Sequence, residues 1–155
     1  MINIKTSEEI MVMRKANAVV RDVLLRIEDH IKEGVSTYQL DKIARDYIEK
    51  AGAIPSFLNY QGFPSSICAS IDEQVVHGIP SKKIVLEEGM IIGIDVGAYL
   101  EGFHGDAART FAVGRISAEK AKLIKVTKES FFKAVDKLRD GTRLGDVSSA
   151  IQKHV

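Results

Sequence analysis

The sequence has little of what marks secreted, membrane-spanning or nucleic-acid-binding proteins. Its single cysteine, Cys68, excludes an intrachain disulfide framework and is typical of a reducing compartment. A membrane-spanning helix needs about 18 consecutive apolar residues, and no stretch of the sequence approaches that length. Ile2 to Ile10 also lacks the apolar centre of a signal peptide. The 22 basic and 21 acidic residues leave a net charge of +1, which gives no reason to expect a nucleic-acid or membrane partner. We therefore expect a soluble protein of the cytoplasm.

The apolar content is enough for one compact domain. The chain has 155 residues, of which 45% are hydrophobic and 6% aromatic, so it can bury a real core. Thr6 and Glu9 form a capping-box pattern before a long helix that should end near 33–34. Ser36 and Gln39 repeat that pattern before a second, shorter helix.

A short pattern recurs late in the chain. The order hydrophobic, basic, acidic, glycine occurs at 31–34 and at 138–141, each time between a long and a short predicted helix. Here the long helix should run from Ser117 to about Arg139. Coincidence is one explanation of four matching residues. An internal duplication is the other explanation, and in it the second copy begins but is cut off inside its second helix. The single domain over 1–155 would then be truncated, with a first half to about 113 and the start of a second half over about 114–155.

The stretch 91–111 predicts a β-hairpin with two aspartates on one face. A turn at 100–101 would make Asp95 and Asp106 direct cross-strand partners. A turn shifted by one residue would make them diagonal neighbours instead. Two ionised carboxylates this close repel each other unless a cation lies between them, so the pair suggests a metal site. A solvated sheet face is the alternative that the geometry leaves open.

The two faces of this hairpin differ in composition. One predicted face is apolar and should join the core: Ile92, Ile94, Val96, Phe103 and Phe111. The face of the aspartates is otherwise small or polar: Gly93, Gly97, Tyr99, His104, Ala108 and Thr110. Before the hairpin, a strand is predicted over 67–76, followed by His77 and Gly78. A histidine in this setting is as consistent with a structural role as with a catalytic one.

Three blocks taken together carry a family resemblance. They are SIDEQVVHGIP at 70–80, GIDVG at 93–97 and GFHGD at 102–106. In this order they resemble type I methionine aminopeptidase, over about the first three-fifths of such an enzyme. The resemblance implies an α/β (α+β) class and the pita-bread (creatinase/aminopeptidase-like) fold, in which two pseudo-symmetric halves surround a curved antiparallel sheet.

The resemblance also implies a centre of two divalent ions, of Co, Mn, Fe or Zn, which activate a water molecule. Asp95 and Asp106 match the two aspartate ligands that the first half supplies, and Asp106 takes the position that bridges both ions. The family's remaining ligands, a His and two Glu, would lie beyond Val155. We therefore expect an incomplete site, a chain that is inactive or weakly active alone, and a natural reading frame that continues past Val155.

Four residues match the family's substrate-binding positions. His77 corresponds to a histidine that contacts the substrate near the scissile amide and assists catalysis. Tyr60, Phe63 and Cys68 correspond to the pocket for the methionine side chain, although Phe63 stands where tyrosine is common. Asp72 replaces a common asparagine, which we expect to be benign. The implied partners are N-terminal methionyl peptides or nascent chains, from which the initiator methionine is removed when the next residue is small.

Two other interpretations remain. A non-catalytic half-domain could self-associate through an exposed apolar half-interface. Another pita-bread member, such as a proline-specific aminopeptidase or creatinase, is less consistent with the short N-terminal region, which leaves no room for an additional domain. In any of these cases 141–155 should be the least stable part, because an isolated helix of about 12 residues is marginal without packing.

Overall fold

The fold is a sequence of two helices, a four-stranded sheet and two further helices. A computed structural model describes residues 3–155. The predicted first half begins with Met1 and Ile2, which lie outside the described residues. In chain order the elements are α1 (Ser7–Glu28), α2 (Thr37–Lys50), β1 (Ile54–Pro55), β2 (Ile67–Ile71), β3 (Ile91–Leu100), β4 (Phe103–Ala112), α3 (Ala118–Val135) and α4 (Leu144–Gln152). The chain divides into two units, one that ends at Arg115 and one that comprises Ile116–Val155.

Both capping boxes form as predicted. Thr6 Oγ1 accepts a hydrogen bond from the Glu9 amide at 3.2 Å, and Glu9 Oε2 accepts one from the Thr6 amide at 2.8 Å. Ser36 and Gln39 exchange the equivalent bonds at the start of α2. Each box satisfies amides that have no partner within their own helix.

Helix α1 ends at Glu28, earlier than the predicted 33–34. The residues after it make turn hydrogen bonds, such as that from the His30 amide to the Ile27 carbonyl at 2.8 Å. The Gly34 amide then donates to the Leu86 carbonyl at 2.9 Å. The connection to α2 is therefore tied to the segment before β3, which competes with further helix formation.

The sheet is antiparallel and is built around β3. Strands β1 and β2 pair with different parts of one edge of β3, and β4 pairs with its other edge. Helix α1 packs on β3 and β4, while α2 packs on β1 and β2. Most of the apolar face predicted for the hairpin lies in this core, where Ile92, Ile94 and Val96 are fully buried and Phe111 is buried. Phe103, beside the turn, is only half-buried and lies outside that core cluster. The alternation along β3 therefore leaves the aspartate face on the other side of the sheet.

Strand β2 is shorter than the predicted 67–76. Asp72 has a φ of 48°, in the left-handed region, so the extended conformation stops at Ile71. Asp72 and Ile91 exchange two hydrogen bonds of 3.0 Å, one through the Asp72 amide and one through its carboxylate. The following residues form a loop that contains His77.

The second unit holds α3 and α4. Ser117 caps α3 as predicted, with its Oγ accepting from the Lys120 amide at 3.2 Å. The helix ends at Val135, short of the predicted Arg139, because the next amides make tighter turn bonds. No helix within residues 3–155 is long and apolar enough to cross a membrane.

Candidate metal centre

The β3–β4 hairpin brings Asp95 and Asp106 together as diagonal neighbours. Asp95 lies opposite Ala108, and Asp106 lies opposite Gly97. The directly opposed register is therefore wrong, and the register shifted by one residue is the one that forms. Glu101 and Gly102 adopt φ values of 49° and 92°, as a two-residue type I′ turn requires, and Gly102 meets this requirement without strain.

The electrostatics of the pair favour a bound cation. Burial and then the charge of Asp106 raise the pKa of Asp95, while His77 and the Val96 amide act in the opposite direction. Burial raises the pKa of Asp106, and His104 opposes that shift. Asp95 Oδ1 is buried and has no hydrogen-bond partner among the described residues. Two neighbouring carboxylates with raised pKa values, one of which has a buried oxygen without a hydrogen-bond partner among the described residues, fit the donor set of a divalent cation.

Cys68 lies on the same face, directly across from Asp95 in the β2–β3 pairing. Burial raises the pKa of its thiol to about 11, and the charges of Asp95 and Asp106 add to the shift. The thiol is therefore protonated at neutral pH. In this form Cys68 lines the site as a small, weakly polar group.

The remaining predicted site residues lie on two loops. His77 is exposed, has a φ of 59°, and is close enough to Asp95 to lower the pKa of that carboxyl. Tyr60 begins a short 3₁₀ helix and is 66% exposed, and Phe63 directly follows that helix. In the part of the chain that the structure describes, no hydrogen bond joins Tyr60 or Phe63 to Cys68 or the aspartates. The structure thus brings His77 and Cys68 to the acidic pair and leaves Tyr60 largely in solvent.

Sequence reasoning missed Ser56. Its Oγ lies 2.8 Å from His104 Nδ1, and its amide donates to the Gly97 carbonyl at 2.9 Å. The ring of His104 also contacts that of Tyr99, with centroids 4.7 Å apart. Ser56 therefore connects the chain after β1 to both strands of the hairpin. No local sequence signal marks it, because the contact depends on the pairing of β1 with β3.

The described residues offer few side chains that could ligate a metal ion at this centre. Across residues 3–155, no three or more His, Cys, Asp and Glu side chains converge in a group that could hold a metal ion.

The sequence profile of metallopeptidase family M24 matches residues 12–155. The chain belongs to metallopeptidase family M24. Among its M24 relatives, a methionine aminopeptidase of Clostridium acetobutylicum is 58% identical over the whole chain, and methionine aminopeptidase 1 of Bacillus subtilis is 48% identical. In each case the chain spans 62% of the relative's length.

The fold of the chain also matches that of a solved methionine aminopeptidase. The crystal structure of methionine aminopeptidase from Thermotoga maritima matches with a TM-score of 0.98 and 39% identity, over 100% of this chain and 62% of that one. The resemblance to type I methionine aminopeptidase and the pita-bread fold are thereby confirmed. Membership of M24 places the chain in a family of metal-dependent peptidases.

Proposed function

We propose that this chain supplies the first part of a methionine aminopeptidase that acts on N-terminal methionyl peptides. The observation that carries the proposal is the diagonal pair Asp95 and Asp106 with its bare buried oxygen. Similarity to methionine aminopeptidases over the whole chain supports the substrate class. The proposed task in the cytoplasm is removal of the initiator methionine when the next residue is small.

The proposed cofactors are two divalent ions, of Co, Mn, Fe or Zn. Asp95 and Asp106 would hold them, with Asp106 shared between both. When bound, such ions act as Lewis acids and lower the pKa of a water molecule toward neutrality. Two carboxylates are fewer than the three protein ligands usual at catalytic metal sites, so further ligands must complete the centre. The resemblance assigns that role to a His and two Glu, and we expect the 155-residue chain alone to be inactive or weakly active.

The other site residues are proposed to contact the substrate. We propose that His77 contacts the substrate near the scissile amide, where its exposed imidazole can donate a hydrogen bond as charge develops. Tyr60, Phe63 and Cys68 would form the methionine pocket, since a thioether packs well against aromatic edges and a protonated cysteine behaves as a small hydrophobic group.

The proposed organisation is a first half over about 1–113 and the start of a pseudo-symmetric second half over about 114–155. The structural support lies in the connections between helices. Gly34 before α2 and Gly141 before α4 both have positive φ, of 84° and 80°. Each occurs between a longer and a shorter helix, as a duplication would require.

Calorimetric titration of the chain with Mn²⁺ or Co²⁺ tests the metal assignment. We expect the chain to bind the metal and Asp106→Ala to abolish that binding. The control Asp29→Asn alters an exposed aspartate after α1 and should leave the binding unchanged. Equal binding by all three proteins would refute the assignment. Hydrolysis of a methionyl peptide by the metal-loaded chain tests the activity, and any turnover that Asp106→Ala does not reduce would exclude this site as its source.

A second candidate is a non-catalytic half-domain that self-associates. It is favoured by large apolar side chains that α3, α4 and the segment between them leave in solvent: Leu123, Phe131, Phe132, Leu138 and Leu144. Phe131 is 61% exposed and Leu144 is 81% exposed, which is costly for a free surface. Sedimentation at several concentrations tests this candidate, and a strict monomer at all of them would eliminate it.

A further inference from the structure

The loop that carries His77 is tied to β2 immediately after that residue. The Gly78 carbonyl accepts a hydrogen bond from the Ala69 amide at 2.8 Å. The Gly78 amide donates to Ser70 Oγ at 3.1 Å, in a buried contact. Both polar backbone groups of Gly78 are thus bonded to neighbouring residues of one strand.

Ser70 lies on the same face of the sheet as the acidic pair. Alternation along β2 places its side chain on the side of Cys68, and its partner in β3 is Gly93. Ser70 is 7% exposed, so its hydroxyl has little access to water. Gly93 adds no side chain beside it, which leaves room on this face.

The backbone at His77 needs such support. A φ of 59° is in the left-handed region, which costs a non-glycine residue roughly 1–2 kcal/mol. A conformation of this kind persists only where its surroundings hold it. Residue 78 must be glycine here, because a Cβ would lie 2.1 Å from the Ala69 carbonyl oxygen. The contacts of Gly78 with β2 are therefore close and directly adjacent to the strained residue.

We propose that Ser70 is a positioning residue for His77. Its hydroxyl holds the Gly78 amide, and this contact keeps the preceding residue in its left-handed conformation with the imidazole near Asp95. The significance for peptide hydrolysis rests on the function proposed above. The conformational part stands on the geometry of β2 and the loop alone.

Amide hydrogen exchange of the ¹⁵N-labelled 155-residue chain, measured by NMR, tests this inference without any activity assay. In Ser70→Ala we expect the Gly78 amide to be roughly five- to tenfold less protected, as for one lost hydrogen bond, and the His77 amide and Cα shifts to move. Ser70→Thr keeps the hydroxyl and should restore both signals.

Ser66→Ala is the control, because Ser66 Oγ is buried and has no hydrogen-bond partner among the described residues. It should leave the Gly78 exchange rate and the His77 shifts unchanged. Unaltered Gly78 exchange in Ser70→Ala, or an equal change in Ser66→Ala, would overturn the inference.

Kinetics separate this inference from the proposed function. In a preparation that hydrolyses a methionyl peptide, Ser70→Ala should lower kcat by roughly tenfold with little change in KM, since orientation and not binding is lost. If no preparation hydrolyses the peptide, the proposed function loses support, while the exchange measurements still decide the role of Ser70.

Discussion

Asp41 in α2 accepts a hydrogen bond of 2.7 Å from the Ser66 amide at the start of β2. The same oxygen accepts a second bond of 3.1 Å from the Ile67 amide. Ser66 and Ile67 are fully buried, so neither amide has water as an alternative partner. This carboxylate therefore fixes the strand that carries Cys68 and Ser70 to the helix layer beneath it.

Asp41→Ala should destabilise the chain by about 2–3 kcal/mol, because it leaves two buried amides unpaired. Asp41→Asn keeps an accepting oxygen and should cost less. Urea denaturation measures both variants. A loss for Asp41→Ala no greater than for the exposed Asp29→Ala would contradict the role assigned to this contact.

In the metal-free chain, the contribution of Asp95 to stability should fall as pH rises above 3.8, the ordinary pKa of an aspartate carboxyl. Burial raises the folded-state pKa of Asp95, so the folded chain keeps this proton to higher pH than the unfolded chain does. The protonated carboxyl makes its full contribution to stability below pH 3.8, the ordinary aspartate value, and this contribution is lost as pH rises through the higher pKa of the folded state. Asp95→Asn should flatten this dependence in urea titrations between acidic and neutral pH.

The effect of Asp95→Asn should change sign with metal. Without metal, the variant should be at least as stable as the original chain at neutral pH. With Mn²⁺ at about 100 times its Kd, the original chain should gain about 2.7 kcal/mol and the variant much less. Identical thermal shifts for the two proteins would show that the cation binds elsewhere.

Cys68 should react slowly with thiol reagents in the folded chain. Its pKa is raised from 9.0 to about 11, which reduces the thiolate fraction by roughly 100-fold before steric protection is counted. Alkylation by iodoacetamide at pH 8, with and without urea, measures the difference. Asp95→Asn removes one neighbouring charge and should increase the folded-state rate, whereas Asp29→Asn should not.

Ser56→Ala should cost about 1 kcal/mol, the net value of one hydrogen bond to His104. If His104 orients Asp106, the substitution should also weaken Mn²⁺ binding. Loss of a residue that orients a metal-ligating side chain lowers metal affinity by roughly 10-fold or more. Ser56→Thr retains the hydroxyl and serves as the control. Unchanged metal affinity in Ser56→Ala would confine the Ser56 contact to a structural role.

Much of the fold could be read from local pattern. Capping boxes place the starts of α1 and α2, and the two-residue alternation of 91–111 predicts the hairpin and both of its faces. Helix ends were less accurate, since α1 and α3 stop where turn hydrogen bonds and contacts of the next segment replace helical ones. Asp72, whose left-handed conformation shortens β2, is of a residue type that tolerates this region and favours turns, but the apolar residues at 75–76 masked that signal.

The sequence by itself determined which residues could hold a cation: two aspartates on one face of a hairpin, within blocks that resemble a single family. Only the tertiary structure decided their relation, because the positive φ values at Glu101 and Gly102 set the register and make the pair diagonal. It also decided which distant groups surround them. Ser56 reaches His104, and Ser70 holds Gly78, through strand pairing and a returning loop, and contacts between residues far apart in the chain leave no periodic trace in its sequence.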